Sequence, residues 1–444
     1  MTDRCPGRWN SFLAQFRAIA LDPQGSGEQI AAAVDISSPI IRDSELFVPD
    51  SHRAWTRLAV AVLIGSLGSV GMWSVVVVLP VVQADFGVAR GTASLAFTMV
   101  MLGFGSGGVL TGKITDRYGI VAAIGFGIGI LGLGYLGAGM ASSIWQFIPL
   151  HFAIGLGASA TFGPLMAEAS HWFSRYRGLA VAIAASGNYI GGTIWPSLIN
   201  LSMQSVGWRH THIALGAITV ATMALALVWL RLLMGAAERR SHVNAAAPRV
   251  DLQLSTNALT AILSLAGIAC CVAMSMPQVH IVAYCGDLGY GVARGAEMLS
   301  LMLGFGIISR IGSGFLADRI GGIRTLLIGS IAQGVALLFY LFFDSLTSLY
   351  LISAMFGLFQ GGIVPSYAII VREAMPSSEA ATRVGIVIFA TVFGMSFGGW
   401  ISGVIFDATG SYAAAFLNGV GWNALNVTIM TALLFRARAR LAAA

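Results

Sequence analysis

Gly112-Lys-Ile-Thr-Asp116-Arg117-Tyr-Gly119 returns later in the chain as Gly314-Phe-Leu-Ala-Asp318-Arg319-Ile-Gly321. Both read Gly-x-x-x-Asp-Arg-x-Gly and both join two long apolar runs; 318 − 116 puts them 202 positions apart. Two further strings recur in the same order: Gly-Val-Ala-Arg-Gly at 87–91 and 291–295, and Leu-Gly-Phe-Gly at 102–105 and 303–306, with offsets of 204 and 201. Three ordered matches at nearly one offset describe a chain whose second half repeats its first. In a membrane, parallel repeats of this kind make two helical bundles related by an axis along the membrane normal, with a path between them. Such a pair is built to rock, which a static pore or an anchor does not need.

Composition names the solvent. With 57% hydrophobic and 10% charged residues, 444 residues have too little polar surface for a soluble protein, so lipid must cover most of the chain. The 55 glycines agree, because small residues let helices approach closely in a bilayer. A net charge of +6 does not point to nucleic acid, since the basic residues are scattered through short loops rather than massed on one face among aromatics. Cys5, Cys270, Cys271 and Cys285 lack metal-ligand spacing, and the adjacent pair falls in an apolar run unsuited to zinc or a disulfide. Neither a metal nor a cofactor is expected.

From Leu58 onward the chain divides into twelve apolar runs of roughly 20 to 29 residues, each long enough to cross a hydrocarbon core about 30 Å thick. They lie near 58–82, 92–112, 120–140, 145–172, 178–206, 211–233, 256–285, 293–315, 323–343, 346–374, 382–406 and 412–435. With both termini cytoplasmic, Lys113, Arg117, Arg175, Arg177, Arg239, Arg240, Arg249, Arg319, Arg324, Arg372, Arg383 and the arginines of 436–440 fall inside. Arg90, Arg209 and Arg294 fall outside, and this bias is the one expected for an even number of spans. The expected organisation is an all-α membrane protein: a polar extension 1–57, a six-helix bundle 58–233, a cytoplasmic linker 234–255, a second six-helix bundle 256–435 and a cytoplasmic tail 436–444. The extension lacks the pattern of a signal peptide. Its Trp9, Phe12, Leu13 and Phe16 beside Arg8 and Arg17 make either a short interfacial helix or an unstructured leader.

Through its doubled Gly-x-x-x-Asp-Arg-x-Gly loop, the stretch 58–435 resembles the major facilitator superfamily, whose signature follows the second and eighth helices. The resemblance implies twelve transmembrane helices in two six-helix bundles. It also implies that Asp116, Arg117, Asp318 and Arg319 form a latch stabilising one of two rocking states; a plain turn with surface charges is the alternative. The first copy lacks the basic residues usual after its last glycine, having Ile120 and Val121, whereas the second keeps Arg324. Other segments are similar to the monocarboxylate and oxalate/formate transporter-like branch. These are His171-Trp-Phe-Ser-Arg-Tyr-Arg-Gly-Leu-Ala180 leading to Ala-Ser-Gly187 and Pro196, then Gly207-Trp-Arg209 and Phe406-Asp-Ala-Thr-Gly-Ser-Tyr412.

Ionisable residues at membrane depth are the informative ones, because each costs about 2.5 to 3.5 kcal/mol on insertion scales. Arg310 lies eight residues before Asp318, hence about 12 Å deeper along a helix. Its repeat mate is Gly108, so the charge belongs to one half. A guanidinium there can hold a carboxylate by two parallel hydrogen bonds, or it can snorkel to the surface. In the branch that the chain resembles, an arginine followed by a glycine four residues on, as Arg310 is by Gly314, binds the substrate carboxylate. His280, near the helix-interrupting Pro277, either carries a proton and donates to an anion or bonds structurally to a backbone. Asn188, Tyr189, Gln360 and Thr391 either line the path or join helices. Gly306 stands where some relatives carry a carboxylate or amide, and the eleventh span has no lysine where oxalate carriers use one. A single buried cation favours a monoanion over a dianion.

The expected protein is therefore a monomeric secondary transporter of the cell inner membrane. It would carry a small organic anion, a monocarboxylate first, by proton symport or anion exchange. The alternatives are an exporter of another small molecule and a non-transporting sensor on the same scaffold. An enzyme is not expected: no nucleophile, base and orienting group recur at useful spacing, and no phosphate-binding Gly-x-x-x-x-Gly-Lys-Ser/Thr loop is present.

Overall fold

The computed structural model describes residues 50–173, 176–233 and 252–441, all of them within one compact unit. Their regular structure is helical: α1 His52–Gly68, α2 Val70–Phe86, α3 Arg90–Tyr118, α4 Ile120–Met140, α5 Ile144–Ser159, α6 Gly163–Trp172 and α7 Arg177–Leu233. After the linker come α8 Thr256–Asp287, α9 Val292–Ile320, α10 Gly322–Phe342, α11 Leu346–Gln360, α12 Ile363–Ala374, α13 Ser377–Thr409 and α14 Tyr412–Leu441. Among the described residues, ten helical stretches are long and apolar enough to cross a membrane, with mean hydropathy between 1.3 and 2.3. The interfacial-helix reading of Arg8 to Leu21, most of the linker and the end of the tail lie outside the described residues.

Two boundaries differ from the sequence expectation, each for a physical reason. Helix α1 reaches back to His52, into the stretch expected to be polar extension, because Ser51 caps it by accepting from the Ala54 N–H at 3.3 Å. Arg57 is 2% exposed there and donates from Nε to the carbonyl of Leu233 at 2.9 Å, setting a cation on the carboxyl end of α7. The segment Arg177–Leu233 is two helices joined at Gly207, so the expected loop between them is reduced to one residue. Gly207 takes φ 77° and ψ 166°, a conformation open to glycine, and Trp208 re-enters the packing immediately at 5% exposed.

The repeat read from the sequence is also a repeat of contacts. A Cβ on Gly155 of α5 would run into the Val100 carbonyl of α3, and one on Gly357 of α11 into the Met302 carbonyl of α9. Both spacings repeat at one offset, 357 − 155 = 202 and 302 − 100 = 202. The glycines that end the two Asp-Arg loops match as well, Gly119 at φ 85°, ψ 165° and Gly321 at φ 82°, ψ 161°. Helices before the linker are joined to those after it mainly where α3 runs along α13 and α7 along α9. Leu133, Leu225, Leu232 and Phe315 stand exposed on the outside, as residues covered by lipid do.

Candidate functional site

Arg310 sits where α7 meets α9 and is 8% exposed. Its Nη1 donates to the Ala185 carbonyl of α7 at 2.9 Å and its Nε to the Gly361 carbonyl at 3.4 Å. The second acceptor is available because α11 stops at Gln360 and α12 starts at Ile363, so the turn between them has carbonyls outside any helix. The guanidinium carbon lies 4.2 Å from the centre of the Tyr189 ring, within cation–π range. Gly306, one turn earlier on α9, makes room for that ring: a Cβ there would collide with Tyr189. Arg310 is thus turned sideways between helices rather than out to the surface. A guanidinium has five N–H donors, and two are engaged here.

The other sequence candidates are distributed around this point. Asn188 accepts from the Trp73 indole N–H at 3.1 Å, tying α7 to α2 beside Tyr189. Gln278 donates to the Gln360 side-chain oxygen at 2.9 Å, leaving Gln278 Oε1 and Gln360 Nε2 buried without hydrogen-bond partners among the described residues. Thr391 donates to the Ile388 carbonyl of its own helix at 2.7 Å. His280 is fully buried, with Nε2 2.8 Å from the Gly399 carbonyl and its ring 5.9 Å from that of Tyr412. It lies seven residues from the Asp287 end of α8, whereas Arg310 lies eighteen residues from the same end of α9. Those depths are about 10 Å and about 27 Å, so the two are not brought together.

Asp318 and Arg319 are exposed, and Arg117 lies 5.2 Å over the ring of its neighbour Tyr118. The Asp116 side chain lies outside the described residues. Beside the second loop, Glu373 accepts from the Gly322 N–H at 3.0 Å, placing a carboxylate on the amino end of α10.

A second polar centre, at the opposite end of the helices, was not singled out by the sequence. Arg90, at the start of α3, is 7% exposed. Its guanidinium pairs with Asp287 of α8, bonds Tyr412 of α14 at 2.5 Å and Gln83 of α2 at 2.9 Å, and lies 4.4 Å from the Phe406 ring centre. Asp407 of α13 receives the backbone N–H groups of Arg90 and Gly91 at 2.9 and 2.6 Å. Residues from both sides of the linker therefore close over one buried cation. The sequence signal was the Phe406 to Tyr412 stretch, which supplies three of the partners.

A sequence model of the Major Facilitator Superfamily matches residues 61–351 and 298–443. Monocarboxylate transporter 13 of Bos taurus is 26% identical over 334 residues, 73% of this chain and 75% of that protein. The agnestins efflux protein AgnL12 of Paecilomyces divaricatus is 23% identical over 288 residues, 64% of this chain and 65% of that one. The solved structure of the nucleoside transporter NupG shares the fold at TM-score 0.67 and 13% identity, covering 85% of this chain and 99% of that one. The family match, which covers more than half of the chain, together with the long apolar helices among the described residues, defines a multi-pass membrane transporter and not an enzyme. The chain belongs to the Major Facilitator Superfamily.

Proposed function

We propose that this protein is a secondary active transporter of a small organic anion, a monocarboxylate first, working by alternating access with proton symport or anion exchange. The observation that carries the reading is Arg310, a buried guanidinium held by two backbone carbonyls and a tyrosine ring, with three N–H donors left for a carboxylate. The relatives named monocarboxylate transporter 13 and 12 support it. In this reading Tyr189, Asn188, Gln360 and Thr391 line the path around Arg310, and His280 serves a proton or anion nearer the Arg90 end. A second reading, export of another small molecule, is favoured by the relative named as an efflux protein.

The proposed architecture is twelve spans in two six-helix bundles, 58–233 and 256–435, with both termini cytoplasmic and the chain a monomer in the cell inner membrane. Ten stretches qualify by length and hydropathy; the break at Gly207 divides one of them, and α14 adds the last. Asp116, Arg117, Asp318 and Arg319 would be the latch at the end remote from Arg90. At the Arg90 end the two halves are tied by the ion pair of Arg90 with Asp287.

Uptake of labelled lactate, pyruvate and formate into proteoliposomes tests the anchor. Arg310→Ala is expected to reduce saturable uptake at least about tenfold, and Arg310→Lys to restore part of it, since an ammonium keeps the charge but loses the fork. Equal uptake by parent and Arg310→Ala would overturn the assignment.

A further inference from the structure

A cavity of about 370 Å³ opens at the Arg90 end, between the ends of α8, α10 and α13 and the start of α14. Its walls include Tyr284, Phe406, Tyr412 and Phe416, and the charged residues lining it are both acids, Asp287 and Asp344. The aromatic wall is a continuous set: Tyr284 lies 5.1 Å from Tyr412 and 5.6 Å from Phe416 between ring centres, and Tyr412 lies 4.4 Å from Phe406. Aromatic faces combined with carboxylates recognise cations, above all weakly hydrated organic ammonium ions.

The protein already uses part of this wall in that way. Arg90 lays its guanidinium over Phe406 and Tyr412, 4.4 and 5.6 Å from the ring centres, and pairs with Asp287. Both Asp287 oxygens meet the Arg90 guanidinium, yet the carboxylate is 40% exposed and lines the cavity. Asp344 is exposed and stands in the short turn after α10, where the Tyr290 hydroxyl donates to its backbone carbonyl at 3.1 Å. That bond positions a second carboxylate across from the aromatic wall. The volume falls in the range of small-molecule pockets.

We propose that this cavity is a binding site for a small organic ammonium ion, seated against Tyr284 and Tyr412 and neutralised by Asp344, with the exposed Asp287 carboxylate, which Arg90 also holds, beside it. It is separate from Arg310, so it stands or falls independently of the anion reading. Because Asp287 also holds Arg90, an occupant shares a carboxylate with the cluster that closes this end, and occupancy is coupled to closure.

The test uses the purified full-length protein at constant ionic strength set with potassium chloride. Choline is compared with its uncharged carbon isostere, 3,3-dimethylbutan-1-ol, by calorimetric titration and by shift of the melting temperature. Choline is expected to bind and the isostere not. Asp344→Asn and Tyr284→Leu are each expected to weaken choline binding about fivefold, the scale of an exposed charge pair and of a cation–π contact. Arg310→Ala is expected to leave it unchanged. Failure of choline to bind, equal binding of the isostere, or parent-like affinity in both cavity variants would overturn the proposal.

Discussion

Arg90 and Arg294 occupy the same place in the two copies of Gly-Val-Ala-Arg-Gly, yet they do different things. Arg90 has a side chain 8% exposed and reaches Asp287, Tyr412 and Gln83, while its own backbone N–H is taken by Asp407, 317 residues away. Arg294 has a side chain 52% exposed and pairs at 3.0 Å with Glu297, three residues on. The glycines that follow explain the split. A Cβ on Gly91 would stand 2.9 Å from Val404 of α13, whereas one on Gly295 would stand 2.5 Å from the Val282 Cα of α8, its own neighbour after the linker. The first copy therefore docks its helix start against the other half of the chain, and the second docks within its own half. A duplicated string delivers the same helix start twice; the partner against which it packs decides whether the arginine is buried across the linker or paired at a surface.

The sharpest way to break that comparison is Arg90→Ala. It leaves Asp287 without its cation, while the backbone N–H bonds to Asp407 persist, and is expected to lower unfolding stability in detergent by about 2 kcal/mol, less than a fully buried pair because Asp287 is part-exposed. A loss below about 0.5 kcal/mol would show that the cluster does not hold this end shut. Next comes Asp407→Asn, which keeps an acceptor for only one of the N–H groups of Arg90 and Gly91, sets an NH2 donor against the other, and removes the charge from the amino end of α3. A loss of about 1 kcal/mol is expected from thermal melts. In the double variant the two losses should fall short of their sum, since both residues belong to one network. The smallest effect should be Arg294→Ala, within about 0.5 kcal/mol, because its pair with Glu297 is solvent-screened. A loss for Arg294→Ala matching that of Arg90→Ala would erase the distinction.

Much of the candidate site was legible. Arg310 stood out by depth alone, and Tyr189 was named separately from its polarity; the structure brings the two within 4.2 Å. What was hidden is what holds the guanidinium. The Ala185 and Gly361 carbonyls belong to backbone and leave no mark on residue type. Gly306 read as the absence of an acid, but its place is steric, clearing space for the Tyr189 ring. His280 and Arg310 were separate candidates in the same half of the chain, and their depths differ by more than three turns of helix.

The sequence by itself determined what local chemistry controls. Hydropathy dictated helices covered by lipid, and the Gly-x-x-x-Asp-Arg-x-Gly spacing dictated two turns ending on Gly119 and Gly321 with nearly identical positive φ, because glycine adopts that backbone at no steric cost. Tertiary structure decided which charges meet. Ion pairs and capping bonds between residues hundreds of positions apart depend on how whole helices dock, and a short string carries no record of that. Only with α3 laid along α13 does Arg90 find Asp407 and Tyr412, and only with α7 laid along α9 does Arg310 find Tyr189.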